Sequence, residues 1–157
     1  MSAVRHTALD VATWFLKNID RSAGDSVTHL KLQKLVYYAQ AWSLALLKRP
    51  FFEEDFQAWA HGPVAPSVYR AFAVFGWDSL PSVARDVEFD DDQSNLLKEI
   101  ADIYGQYQAK QLEGMTHAET PWVDARGALP PEAASKAIIS KQAMQDFYSA
   151  MHARVNG

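Results

Sequence analysis

The chain has no cysteine among its 157 residues. That excludes disulfides and thiolate metal sites, and it fits a reducing, cytoplasmic setting. Long hydrophobic runs are also missing. The most apolar stretch, residues 39–47, contains Gln40 and Ser43 and is far shorter than a membrane span. Charged residues break up the first twenty positions, so no signal peptide is expected. Glycine is sparse and scattered. Gly62, Gly76, Gly105, Gly114 and Gly127 form neither a phosphate-binding loop nor a dinucleotide fingerprint.

Catalytic signatures are equally scarce. There is no G-x-S-x-G elbow, and the serines fall at expected caps and loops. His117-Ala-Glu119 matches one half of a zinc deaminase signature, but the other half needs two cysteines. A metal-dependent hydrolase using His61, His117 and Glu119 has no motif such as HExxH behind it. We therefore expect no metal, no cofactor and no enzymatic activity. The acids Glu53, Glu54 and Asp55 read as a solvated turn.

Positive charge is thin. Residues 1–50 hold seven Lys/Arg against three Asp/Glu, and residues 51–157 hold eight against sixteen. The basic third could meet an acidic partner, but it lacks the dense Lys/Arg stripe of a nucleic-acid binder.

What is present is an ordinary globular composition, 48% hydrophobic and 22% charged. One domain over residues 1–157 is expected, with no internal repeat. The periodicities predict a mostly α, compact bundle of about five to six helices, with a small β-hairpin between the second and third. Thr7 caps a helix over 7–20, with Gly24-Asp25 ending that unit. Thr28 caps a second over 29–49. Leu32, Leu35, Val36, Ala39, Trp42, Ser43 and Leu46 make its apolar face, Lys31 and Lys34 lie off it, and Pro50 stops it. Residues 51–61 alternate with a period near two, which predicts a hairpin turning at Glu53-Glu54-Asp55. Pro66 opens a third helix over 66–75. Acids precede a fourth over 91–112, whose buried face includes Leu96, Leu97, Ile100, Ile103, Tyr104 and Tyr107. Val87 and Phe89 suggest a short strand, Gly114 a break, Thr116 and Pro121 short helical turns, and Ser140 caps a last helix over 141–153.

The segment Ala58-Trp-Ala-His61-Gly62-Pro63-Val-Ala-Pro66 is a stiff corner. Gly62 permits a positive φ, while Pro63 and Pro66 fix φ and remove two donors. Trp59, His61 and Tyr69 are held in fixed places there. They either fill the core or line a partner-binding surface. Thr116 and Glu119 are spaced for a capping box, and His117 and Trp122 can lie against the corner. We place the first candidate partner-binding surface at Trp59, His61 and Tyr69, and the second at the basic helix with Lys31 and Lys34.

Three blocks carry a family resemblance. Leu32-Gln-Lys-Leu35-Val-Tyr-Tyr38-Ala39 with Trp42 resembles the "KLQKLLYFAQ…W" helix of the Panacea, or SocA-like, antitoxin domains. Phe56-Gln-Ala-Trp59-Ala-His61-Gly62-Pro63-Val64 is similar to their "FEAWKYGPV" segment, and Pro66 and Tyr69 match the "P-x-x-Y" that follows. Thr116-His117-Ala-Glu119-Thr-Pro121-Trp122 is similar to "TH-x-E-x-PW". Order and spacing hold over about residues 8–150. The chain departs at His61, where the family usually has an aromatic residue. The resemblance implies a type II-like antitoxin of prokaryotes or their phages. It would neutralise a protein toxin encoded by an adjacent gene, or act as an adaptor that hands the toxin to a cytosolic protease. It brings no catalytic residue with it.

Overall fold

The computed structural model describes residues 6–21 and 27–156. Its axis is helix α2 (His29–Trp42), preceded by α1 (Ala8–Asn18) and prolonged by a π-helical turn over Ser43–Leu47. Thr7 caps α1 in a reciprocal box with Asp10, and Thr28 caps α2 by accepting from the Lys31 amide. The helix stops earlier than Pro50 requires. Lys48 already takes a left-handed turn at φ 60°, and Ser43 closes the end by donating to the Arg49 carbonyl. Gly24-Asp25, the expected end of the first unit, lies outside the described residues.

After α2 come strands β1 (Phe56–Trp59) and β2 (Gly62–Val64), then α3 (Pro66–Phe72) with a 3-10 turn over Ala73–Phe75. Helices α4 (Asp91–Tyr104), α5 (Ala109–His117) and α6 (Thr120–Arg126) follow. Strand β3 (Ile138–Ile139) and helix α7 (Lys141–Asn156) complete the order. The fold is mostly α, with a three-stranded antiparallel sheet in the order β2-β1-β3.

Several expectations shift. The hairpin exists between α2 and α3, but it turns at Ala60-His61, pairing Trp59 with Gly62 and Gln57 with Val64. The acids at 53–55 are not its turn. Glu54 accepts from the Ala8 amide at the start of α1 and from the Ser67 hydroxyl, and Asp55 pairs with Lys141. The third strand has only two residues, too few for a periodic signal. The helix expected over 91–112 is two helices that part after Tyr104, so Ile103 is 51% exposed, and Gly114 lies inside α5. Val87 and Phe89 form no strand. Asp90 instead caps α4 in a box with Gln93.

Every residue from Lys31 to Ala41 is buried, because α1, α3, α4, α5, α7 and β2 all lie against α2. A helix enclosed on all sides has no solvated face, so its polar residues must find partners inside. Two glutamines do so with backbone. Gln40 accepts from the Phe51 amide at 2.7 Å and donates to the Phe52 carbonyl at 2.8 Å. Gln33 accepts from the Ala65 amide at 2.8 Å and donates to the Ala65 carbonyl at 3.3 Å. The segment carrying the hairpin is thus fastened at its entry and its exit by side chains two helical turns apart.

A second internal cluster surrounds Glu119. Its Oε1 accepts from the hydroxyls of Tyr38 and Tyr148, both at 2.8 Å, and the Tyr37 hydroxyl lies 3.2 Å from that of Tyr148. Tyr38 stacks on Tyr104 at 4.0 Å, and Trp42 donates to the Tyr104 hydroxyl. Burial pushes the Glu119 carboxyl above its usual range, while the two tyrosines pull it back.

Gln40→Leu strands one buried amide and one buried carbonyl and should cost about 2–4 kcal/mol. The exposed control Gln106→Leu should stay within about 0.5 kcal/mol of wild type. Urea denaturation of the two variants distinguishes a clamp from mere space filling.

Candidate functional site, an aromatic groove beside the hairpin

The hairpin, the start of α2 and helix α3 enclose a recess of about 410 Å³. Trp59 and Tyr69 form its inner wall with their rings edge to face at 4.9 Å, and the Trp59 indole is held by donating to Gln57. His29 from the first turn of α2 meets Tyr69 at 5.4 Å. His61 at the hairpin turn meets Trp77 at 6.4 Å. Residues 134–136 close the far side with Lys136. Trp77 is 72% exposed, and neighbouring Val74 is 86% exposed. An indole left this open stands apart from the other large aromatics, which are buried or half-buried.

Beneath the hairpin lies an uncommon group. Gly62 has φ 110°, and a Cβ there would sit 2.4 Å from Lys34 Cε and 3.0 Å from Thr116 Oγ1. Glycine is therefore required twice, for the turn and for the approach of β2 to α2. The Lys34 side chain is fully buried, and its Nζ has no hydrogen-bond partner. Burial lowers its pKa to about 7, and the Glu113 carboxylate, which pulls the other way, does not offset this. Glu113 is already engaged. His61 Nδ1 donates to it at 2.6 Å and Lys110 at 3.0 Å. Burial raises the Glu113 pKa, but those two contacts outweigh it and hold the carboxyl below its ordinary value. Burial also lowers the pKa of His29, and Lys34 adds to that.

The 116–122 block secures the hairpin from behind. The Trp122 indole donates to the Trp59 carbonyl at 2.8 Å. Arg126 lies 4.8 Å over the Trp122 ring and donates to the Ala58 carbonyl at 2.8 Å. The same guanidinium collects the carbonyls of Pro130, Pro131 and Ala133, which fixes the loop leading to the groove's far side. His117 stacks on Trp122 at 4.0 Å. The capping box expected between Thr116 and Glu119 is absent. Thr116 lies within α5 and donates to the Glu113 carbonyl, while Glu119 turns inward to the tyrosines.

The structure brings Trp59, His61 and Tyr69 together in one groove. Lys31 and Lys34 do not form a second, solvated face: Lys31 donates to the Gly105 carbonyl at 2.7 Å, and Lys34 faces Gly62. The reason is the enclosure of α2. Periodicity alone cannot tell a helix with one buried face from one buried all round. Sequence reasoning missed Trp77, His29 and Lys136. The only signal for Trp77 was an indole in a stretch with no apolar period to absorb it. Among the described residues, no three His, Asp or Glu side chains gather as a metal-ligand set, and no helix is long and apolar enough to cross a membrane.

Fold and groove together define a mostly helical domain built on a clamped hairpin, with an aromatic recess on one side. The chain belongs to the "Antitoxin SocA-like, Panacea domain" family, whose model matches residues 32–123. It is 30% identical over 109 residues to "Antitoxin SocA" of Caulobacter vibrioides (strain NA1000 / CB15N), which covers 61% of this chain and 58% of that protein. The chain thus spans less than two thirds of that relative's length. No solved structure matches it.

Lys34 makes stability depend on pH in a defined direction. Between about pH 7 and the ordinary lysine value of 10.5, the unfolded chain binds a proton that the folded chain does not. Stability from this residue therefore rises with pH through that window, and the full penalty applies below it. Lys34→Met should be more stable than wild type at pH 6–7, by on the order of a few kcal/mol. That gap should shrink towards pH 10, whereas a gap independent of pH would contradict the assignment. Reading the difference between the two proteins cancels the titrating groups that Lys34 does not influence.

Proposed function

We propose that this chain is the antitoxin of a toxin–antitoxin pair and neutralises a protein toxin by direct contact through the aromatic groove. Family membership supports the antitoxin role. The observation that carries the contact surface is the groove itself, an aromatic recess with a 72% exposed tryptophan on its lip. Aromatic side chains in a recess supply contact area at low entropic cost and recur as binding hot spots. His61 is held by Glu113 and Trp59 by Gln57, so both are ordered before a partner arrives.

In this reading the chain acts stoichiometrically in the cytoplasm, with the toxin encoded by a neighbouring gene. Co-expression tests it directly. A neighbouring gene product that stops growth when expressed alone should be tolerated when this chain is present, and the two should co-purify. Trp77→Ala should weaken the complex about tenfold or more without lowering the melting temperature, because the residue is 72% exposed. If no neighbouring product is toxic, or toxicity persists with this chain present, the antitoxin reading fails. Rescue that is indifferent to Trp77→Ala and to Tyr69→Ala would move the contact away from the groove.

A further inference from the structure

The groove's charge is as distinctive as its rings. The chain carries 19 Asp/Glu against 15 Lys/Arg, yet among the described residues no carboxylate lines the recess. Its titratable lining is Lys136 on one side and the imidazoles of His29 and His61 on the other. Cationic groups also lie around it. Behind the α2 wall the buried Lys34 amine has no partner, and its charge is felt at His29. Exposed Arg70 follows Tyr69 on α3. Below the hairpin turn, Glu113 is met by both His61 and Lys110. Asp78 and Glu132 are sequence neighbours of groove residues but do not line it.

We infer that the groove takes an acidic, apolar-anchored segment of the partner, in which a large hydrophobic side chain fills the recess and an adjacent Asp or Glu meets the Lys136 rim. This rests on the direct-contact reading above and adds the chemistry of what is contacted. The volume of about 410 Å³ suits one or two large side chains. Complementary charge at the rim steers encounter and rejects basic segments.

Selection of displayed random peptides of about a dozen residues on the full chain tests it. The expected pool places an aromatic or large aliphatic residue within a few positions of Asp or Glu. A synthetic peptide from that pool should bind about tenfold more weakly to Trp77→Ala. It should lose roughly threefold or more with Lys136→Glu, and that loss should diminish at high salt. Both residues are exposed, so unchanged melting curves confirm that the variants fold. A basic or charge-indifferent pool, no enrichment, or binding insensitive to both substitutions overturns the inference. Concentration-dependent self-association that Trp77→Ala abolishes also overturns it, by assigning the groove to a second copy of the chain. Toxin rescue without peptide selection would remove this inference alone, whereas peptide selection without rescue would remove the antitoxin reading alone.

Discussion

Two glutamines on one helix hold the segment on which the site is built. Gln40 and Gln33 each spend both ends of an amide on main-chain groups of the returning chain, at Phe51–Phe52 and at Ala65. A side-chain amide is well suited to this, since one group supplies both a donor and an acceptor and can stand in for a peptide partner. Seven residues of helix separate the two, so the clamp's span is set by the pitch of α2. Everything between its jaws is positioned relative to that helix. Strand β2 lies on α2, Gly62 descends onto Lys34, and just beyond the second jaw Tyr69 meets both Trp59 and His29.

The price of this arrangement is a buried, unpaired amine. Lys34 sits where β2 crosses α2, and its four-carbon stem fills space under a strand that has no side chain at Gly62. The stem packs as a hydrophobe would, and only the terminal nitrogen is out of place. Glu119 is a contrasting solution inside the same protein, because that carboxylate reaches two phenol hydroxyls. One of these two ionisable groups is satisfied and the other is not, and the unsatisfied one lies next to the groove wall.

The sequence revealed the framework better than the attachments. Helix starts at Thr7, Thr28, Asp91 and Ser140 were legible because caps and first-turn acids act locally. The hairpin's existence was legible from alternation, but its turn was not. The acids at 53–55 resemble a turn, yet they are committed to α1, Ser67 and Lys141, residues far away in sequence. Lys31 and Lys34 were misplaced for the same reason. Their environment is set by α4, α5 and β2, and no local window contains those elements. That Trp59, His61 and Tyr69 lie close together was legible because a rigid corner announces itself through Gly and Pro. Lys136 and His29 come from opposite ends of the chain, outside the family-matched span of 32–123, and only folding brings them together.

Strand β3 has a consequence for how the protein is made. Its two residues pair with Phe56 and Gln57, and the Ala137 carbonyl accepts from the Ala58 amide, across some eighty intervening residues. During synthesis the hairpin can form against α2 well before residue 138 leaves the ribosome. Until then the outer edge of β1 has unpaired backbone groups, which is the kind of edge that recruits other strands. The nascent chain therefore passes through a period in which the β1 edge is open, and residues 137–139 later close that edge against misassociation.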